Sequence, residues 1–563
     1  MKVFVENTGN FTLTDKDYLA AGGEGKIYSK NGLAFKIYHD ENRVVPIKKI
    51  EELNKIKKDN VLKPLNIIYD LATKKPLGFT MSLLMASNPL CKLFVKTFKE
   101  RSGIGHQDIA DLVKEMQKTV IEIHKEKCLI ADFNEMNVVV DKNNKIPYFI
   151  DVDSWQTPSF KATAISDSIR DRKVPFGTFS ELTDWYAFAI LAFQMYINIH
   201  PYRGTHPKYK NNDIDSRMND GISVFEKDIK LPPICYDFSV IPKPHLEWFK
   251  DIFSKNNRSL PPMPDSIMAI PVIHEIINII RSHGNFEVEK IFAYDSTVRE
   301  VYNIMGTGYV ITDKSIYKGG KKIVSDIEKH DKVLLCESDD MIPVICYLKN
   351  NEVSVTNING DKVGDNFAAK DIMYCNGAIY SISNDIFQEN TFKLIGSKLY
   401  RKIKIAGRVA ENSSKMFEGC VYQDLLGKPW FQIPYEQNLC YFQCIKELEG
   451  YRVIEAKREK NYLIVIAEKN GFYNRFVFIF DKKFTSYTCR IVDKIAFENI
   501  NFTVLHSGVC LLVAGNEIEL FIDNKTIKTL QDPPFDSSMK IYSTSSSVYF
   551  INNKEICSAK MVK

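Results

Sequence analysis

From residue 308 to the end of the chain one short unit keeps returning: a strand-like apolar run, a tight turn and a second run. It begins at Gly308 ("GYVITDKSIYK"), Ile342 ("IPVICYLKNNEVSV"), Gly377 ("GAIYSISNDIF"), Gly419 ("GCVYQDLLGKPWFQI"), Asn461 ("NYLIVIAEKNGFYNRFVFIF"), Gly508 ("GVCLLVAGNEIELFI") and Ser547 ("SVYFINNKEIC"). Successive starts lie 34 to 47 residues apart, and one four-stranded propeller blade takes about 40 residues. The expectation is an all-β domain over 286–563, a seven-bladed β-propeller. A pair of β-sandwiches is the alternative, because no WD or kelch signature accompanies the repeat. Closing a propeller predicts that "EKIFAYDS" (289–296) pairs beside "SVYFINNKEICSAKM", so that no sheet edge stays open.

The 563 residues exceed what one ordinary core accommodates, and the first half has a different texture. In "DIADLVKEMQKTVIEIHKE" (108–126), Ile109, Leu112, Val113, Met116, Val120 and Ile123 draw one helix face. "DWYAFAILAFQMYI" (184–197) is apolar almost all round and reads as a helix buried mid-domain. "SLPPMPDS" (259–266) is a proline-rich stop, and "IHEIINIIRSH" (273–283) reads as a joining helix. The chain thus divides into a mixed α+β domain at 1–265, a helical linker at 266–285 and the all-β domain at 286–563.

A charged fraction of 26% and a hydrophobic fraction of 45% suit a folded soluble protein. A net charge of +5 is mild for this length and argues neither for nor against nucleic acid; no nucleic-acid partner is expected. No apolar run is long enough to span a bilayer and none follows a basic start, so neither a membrane nor a secretory route is expected and the assignment is cytoplasmic. The twelve cysteines contain no CxxC pair and mostly sit in apolar runs, which suits reduced core thiols.

Two stretches carry chemistry. In "LAAGGEGKIYSKNGLAFKIY" (19–38), Gly22, Gly23 and Gly25 precede a strand bearing Lys36 among apolar neighbours. Such glycines are the residues of a turn, and they also let backbone N–H groups approach phosphate oxygens. The helix "PIKKIEELNKI" (46–56) has its stripe on Ile47, Ile50 and Leu53, which puts Glu51 at the stripe's edge as the ion-pair candidate for Lys36. In "LIADFNEMNVVV" (129–140), Asp132 stands five residues before Asn137, and "FIDVDSWQ" (149–156) follows a hairpin loop with Asp151 and Asp153. Two adjacent strands would deliver Asp132, Asn137 and Asp151 to one edge. A carboxylate and an amide oxygen there suit Mg²⁺, and a carboxylate off the metal can orient or deprotonate a hydroxyl.

Taken in order over residues 15–265, these motifs resemble the divergent bacterial and viral members of the eukaryotic-like Ser/Thr protein kinases. "LAAGGEG" resembles the glycine-rich loop, "LAFK" the strand of the ATP lysine, and "GFTMSLL" (78–84) the strand entering the hinge. "IHKEKCLIADFNEMN" is similar to the catalytic loop, "IDVDSWQ" to the metal-binding segment, and "DWYAFAILAFQMYINIHPYRG" to the buried helix and the turn after it. Arg258 in "NNRSLPP" resembles the late arginine that pairs with an acid near the activation segment. The resemblance implies a bilobal fold, N-lobe about 1–85 and C-lobe 86–265, that uses ATP and Mg²⁺. Gly22, Gly23 and Gly25 would cover the phosphates, Lys36 would hold them and Glu51 would fix Lys36. Asp132 would be the catalytic base, and Asn137 and Asp151 the metal ligands.

The departures are Ala20 for the first loop glycine, Ile130 and Ala131 for the His-Arg before the base, Asn134 for a lysine, and Asp153 for the glycine after the metal acid. No Ala-Pro-Glu triplet closes the segment 156–183. The resemblance implies a Mg-ATP-dependent phosphotransferase acting on protein Ser/Thr hydroxyls. The propeller would select the protein substrate or anchor the enzyme through an unidentified protein partner on one face. The alternative is a pseudokinase–propeller scaffold that binds nucleotide and partners without transfer.

Overall fold

The structure, a computed structural model, describes residues 1–561 except 85–86, 163, 211–212, 265–285, 305–306, 328–329, 341, 359–361, 363, 397, 411, 437–438, 483, 516, 524, 532 and 544–546. The expected joining helix at 273–283 and the expected break near residue 85 lie outside the described residues. The chain is mostly β, and the six α-helices among the described residues all precede residue 254.

The first 82 residues build a seven-stranded antiparallel sheet. Its order is Gly9–Thr12, Lys2–Val5, Ile67–Asp70, Pro76–Ser82, Leu33–Tyr38, Gly25–Lys30 and Tyr18–Ala21. Asn31, at φ 51°, and Gly32, at φ 78°, turn the hairpin that carries Lys36, as a two-residue Asn-Gly turn requires. Gly78 is forced by packing, since a Cβ there would stand 1.8 Å from the Lys36 carbonyl oxygen.

Later in the chain the helix His106–Lys125 buries Ile109, Leu112, Val113, Met116, Val120 and Ile123, the face its periodicity marks. It lies against Glu181–Ile197, which is buried nearly throughout. That second helix starts on Ser180, whose hydroxyl accepts from the Thr183 N–H, and ends on Asn198 in the left-handed region. The antiparallel pair Val138–Val140 and Pro147–Phe149 crosses the same core.

Residues 286–561 form seven successive four-stranded antiparallel sheets. Each unit seen in the sequence is the middle hairpin of one sheet, from Thr307–Thr312 with Ile316–Lys318 through Val548–Asn552 with Glu555–Met561. The first strand, Phe286–Ala293, is the outer strand of the last sheet and pairs antiparallel with Glu555–Met561 from Phe286 opposite Met561 to Ala293 opposite Glu555. The strands Val298–Ile304, Lys332–Glu337, Asp371–Cys375, Ser414–Phe417 and Arg452–Glu459, which open consecutive sheets, neighbour one another in turn.

The sheet spanning Arg452–Ile495 joins the two halves. Its strand Phe472–Phe480 is buried at all nine positions, which accounts for a continuous apolar run where alternation would mark a half-exposed strand. Ile454, Ile466, Phe472 and Tyr473 belong to the same core cluster as Phe133, Phe149 and Phe188. All twelve cysteines are free thiols. No helix among the described residues is long and apolar enough to cross a membrane.

Candidate active site

Asp184, wholly buried at the start of its helix, organises the loop that precedes Asn137. Its carboxylate accepts from the backbone N–H of Ile130 at 2.8 Å and of Ala131 at 2.9 Å, and lies 2.9 Å from His124 Nε2. Ala131 is held in the left-handed region at φ 62°, which costs about 1–3 kcal/mol for a residue with a Cβ. His124 is therefore a structural helix-end residue: it bonds the anchor and does not reach Asp132.

Next to this anchor, Asp132 accepts at Oδ1 from the Ser166 N–H, 2.7 Å, and lies 3.4 Å through Oδ2 from the Asn137 amide nitrogen, which also donates to the Asp132 carbonyl at 2.9 Å. Asn134 is buried and ties the loop together: its Oδ1 accepts from the N–H groups of Met136 and Asn137, and its Nδ2 donates to Ser166 Oγ at 3.0 Å. The Ile150 N–H donates to the Asn137 carbonyl at 2.9 Å. That bond sets the chain leading to Asp151 beside the chain leading from Asp132, as the two-strand reading expected.

Lys36, 6% exposed, lies 2.7 Å from Asp151 Oδ1, 2.7 Å from Asp153 Oδ2 and 3.6 Å from Glu24 Oε2. Burial works against its charge, but Asp153 and Asp151 outweigh that and hold its pKa above the ordinary value. Tyr38 OH donates to Asp153, and burial together with that carboxylate raises the phenol's pKa. The strand ends at Phe149, Asp151 takes φ 58°, and a short 3₁₀ turn runs from Val152 to Ser154. Side chains alternate along a strand, so a strand continued through Asp153 would put both acids on one face, whereas a turn after Asp151 would be expected to send Asp153 elsewhere. The chain does turn, yet the left-handed residue followed by the 3₁₀ turn swings both carboxylates onto one ammonium. The ligand atoms of Glu24, Asp151 and Asp153 lie within 4.8 Å of one another.

One expectation is corrected. Glu51 is exposed, and the carboxylates on Lys36 come from the other residues just named. The short helix Ile47–Leu53 buries Lys49, Ile50, Glu52 and Leu53, while Ile47 is 56% exposed. The stripe is rotated from the one assumed, and Glu51 falls on the far side. Lys49 turns inward and donates to the Asp153 carbonyl at 2.6 Å, with its pKa lowered by burial. Glu52 accepts from Ser159 Oγ at 2.6 Å and from its N–H at 3.2 Å.

The glycines divide by role. A Cβ on Gly25 would stand 2.4 Å from the Ile37 carbonyl oxygen, so strand packing alone demands that glycine. Gly22 and Gly23 are exposed with open space around their Cβ positions, but the Gly22 N–H donates to the Gly25 carbonyl at 2.8 Å and its carbonyl lies 3.2 Å from His39 Nε2, so Gly23 is the place where a ligand could approach the backbone. Glu24, the next residue, reaches to 3.6 Å from the Lys36 ammonium.

The segment after Asp153 is held at Asp171 and Arg172. Arg258 grips Asp171 with Nε at 2.5 Å and Nη2 at 2.8 Å, the late arginine–acid pair. Arg172 pairs with Asp215 at 2.8 Å, and Lys494 of the sheet region pairs with the same Asp215. From that region Tyr473 OH donates to buried Glu135 at 2.8 Å, and Arg452 lies 3.4 Å from the Met136 carbonyl. Burial raises the Glu135 pKa to about 7. Lys49, Ser166 and Asp184 took part unannounced, and Asn134 was named only as a departure from the resemblance; of the first three only Asp184, an acid opening an apolar helix, left a trace in the pattern. No family model matches the chain, and no curated protein is significantly similar to it.

Proposed function

We propose that residues 1–265 are a divergent protein-kinase fold, that 286–563 are a seven-bladed propeller, and that the chain is a Mg-ATP-dependent phosphotransferase acting on protein Ser/Thr hydroxyls. The observation that carries this reading is that Asp132 and Asn137 sit on a loop strapped to buried Asp184 and bonded, through the Ile150 N–H, to the chain that brings Asp151 onto Lys36. Phosphoryl transfer needs little covalent chemistry from the protein; it needs positioned charge. Asp132 is then the base that accepts the hydroxyl proton, Lys36 the cation for the phosphates, and the exposed turn at Gly22 and Gly23 the cover over them.

The donor set fits a hard cation. Lys36 engages Oδ1 of Asp151, and Asn137 commits its amide nitrogen to Asp132. That leaves a carboxylate oxygen and an amide oxygen for Mg²⁺, which would neutralise charge on the phosphate oxygens when bound. Incubation with γ-labelled ATP and Mg²⁺ should label protein serine or threonine. Asp132→Asn should reduce transfer by about a thousandfold or more while ATP still binds. Full transfer by that variant would remove Asp132 from the mechanism.

A second reading has its own support. Glu24, Asp151 and Asp153 already surround Lys36, so phosphates must displace at least Glu24, and Glu51 is not in position to hold the lysine. That arrangement favours a nucleotide-binding scaffold in which the propeller recruits partners. ATP binding without label transfer, unchanged in Asp132→Asn, would select it.

A further inference from the structure

A second site lies wholly within the sheet region, on the turns at one end of the three successive sheets that begin at Asp371, Ser414 and Arg452. A cavity of about 660 Å³ opens there, and its walls include Tyr374, Tyr435, Phe484, Lys460, Lys482 and Arg458. Arg458 is only 7% exposed. Its guanidinium stands 5.7 Å from the Phe484 ring, and Nη1 reaches only the Cys375 sulfur, 3.5 Å away. Its Nε has no hydrogen-bond partner, and no carboxylate among the described residues pairs with it. Burial raises the Cys375 pKa, so that thiol is neutral and supplies no counter-charge.

The two acids on the cavity wall are already committed. Glu418 lies 3.4 Å from Lys457 and 3.5 Å from Lys540. Glu459 accepts from Thr503 Oγ1 at 3.1 Å and from the Val504 N–H at 2.9 Å. A buried guanidinium with an open N–H and no anion is a costly arrangement, because a buried charge is tolerated when it is paired. Here the missing partner has room to enter from solvent.

We propose that this cavity binds a peptide segment of a partner protein that presents an anionic side chain, carboxylate or phosphoryl, to Arg458. Three features favour a peptide. The volume lies in the range of sites that enclose several side-chain-sized groups. Tyr374, Tyr435 and Phe484 offer apolar and aromatic contact around the anion. The charges on the wall, three cations against two carboxylates, are too nearly balanced to track a polyanionic backbone. The pocket uses no residue of the Lys36 site and stands whether or not the chain transfers phosphate.

The test uses the full-length protein and an immobilised nonapeptide library with mixed flanks and a central Glu, Asp, phosphoserine, phosphothreonine or Gln. Anionic centres should be retained about tenfold over Gln, the scale of one charge-assisted hydrogen bond to a desolvated cation. Arg458→Gln should abolish that preference, and Lys482→Ala, at an exposed rim position, should weaken it while leaving the fold intact. Preference for phosphoserine over Glu assigns phosphoryl recognition, and the reverse assigns carboxylates. Equal retention of Gln and anionic centres, or a preference that survives both substitutions, would overturn the proposal. So would binding of single-stranded DNA with no peptide selection.

Discussion

Lys36 has two aspartates, and the substitutions Asp151→Ala and Asp153→Ala should separate their tasks. Asp153 is buried between Lys36 and Tyr38; removing it leaves a buried ammonium half-compensated, a loss of about 3 kcal/mol. The Asp151 side chain is 39% exposed, so its removal should cost about 1 kcal/mol or less yet eliminate Mg²⁺-dependent nucleotide binding. Urea denaturation and Mg²⁺ titration of both variants check this, and a normal metal response in Asp151→Ala would reverse the assignment. These acids were legible because they follow an apolar strand directly. Their shared partner was not, since that depends on a left-handed backbone at Asp151 that no residue type announces. A second residue-level test concerns His200. Its Nδ1 accepts from the Tyr202 N–H and its Nε2–H donates to the Ser168 carbonyl, so the ring is neutral by geometry. Burial, with Arg203, Arg217 and Arg172 nearby, pushes its pKa from 6.5 down to about 3. Below pH 6.5 the unfolded chain takes a proton that the folded chain refuses. Stability is therefore full above that pH and falls as pH drops toward 3, by about 1.4 kcal/mol per pH unit. His200→Gln should flatten the slope of unfolding free energy between pH 6 and 4.5 by that amount, and an unchanged slope would sink the assignment.

At the scale of elements, the closing strand pair carries the sharpest expectation. Phe286–Ala293 joins Glu555–Met561 across the whole length of both strands. Removing residues 544–563 deletes both middle strands of the last sheet and leaves Phe286–Ala293 unpaired. The entire C-terminal half should then melt at markedly lower temperature and expose the amides of 286–293 to hydrogen exchange. Unaltered melting would mean that the sheets do not depend on closure. The hairpins were readable because their turns carry Asn or Gly at positive φ, as at Asn350 and Asn351, Asn376 and Gly377, and Asn470 and Gly471. Edge strands such as Lys398–Arg408, "KLYRKIKIAGR", expose much of their length, Ile403 and Ile405 included, so the alternation they carry marks no buried face. The helices behave likewise. Twenty residues of His106–Lys125 average out ambiguity in the periodic face, whereas seven residues of Ile47–Leu53 leave the register to tertiary packing. That is why Ile109 and Val120 were placed correctly and Glu51 was not.

Across the whole molecule, the contact between the halves takes over a task that the sequence leaves open. On the proposed kinase reading, Ala131 takes the place of an arginine that would receive a phosphate, so the segment 156–183 would have to be ordered some other way. The hairpin turn at Asn470 and Gly471 supplies it: a Cβ on Gly471, at φ 78°, would stand 2.7 Å from Ser166 Cβ and 2.7 Å from Ser168 Oγ. Ser166 is the residue whose N–H holds Asp132 and whose hydroxyl holds Asn134. More than 300 positions separate these partners in the chain, and no local pattern could join them. The sheet region thus buttresses the loop that carries Asp132, and, if that residue is the proposed base, phosphatase treatment should leave activity unchanged. Gly471→Val should push Ser166 off Asp132 and lower phosphotransfer about tenfold or more while nucleotide binding at Lys36 persists. Gly508→Val is the matched control, because Gly508 also has a positive φ, 86°, but its Cβ would meet only Ile522 Cδ1 at 3.9 Å. It bears the same backbone strain without touching the segment, and its phosphotransfer should match the unaltered protein once both are folded. Equal losses in the two variants would assign the effect to turn strain, and the buttress would have no part in catalysis.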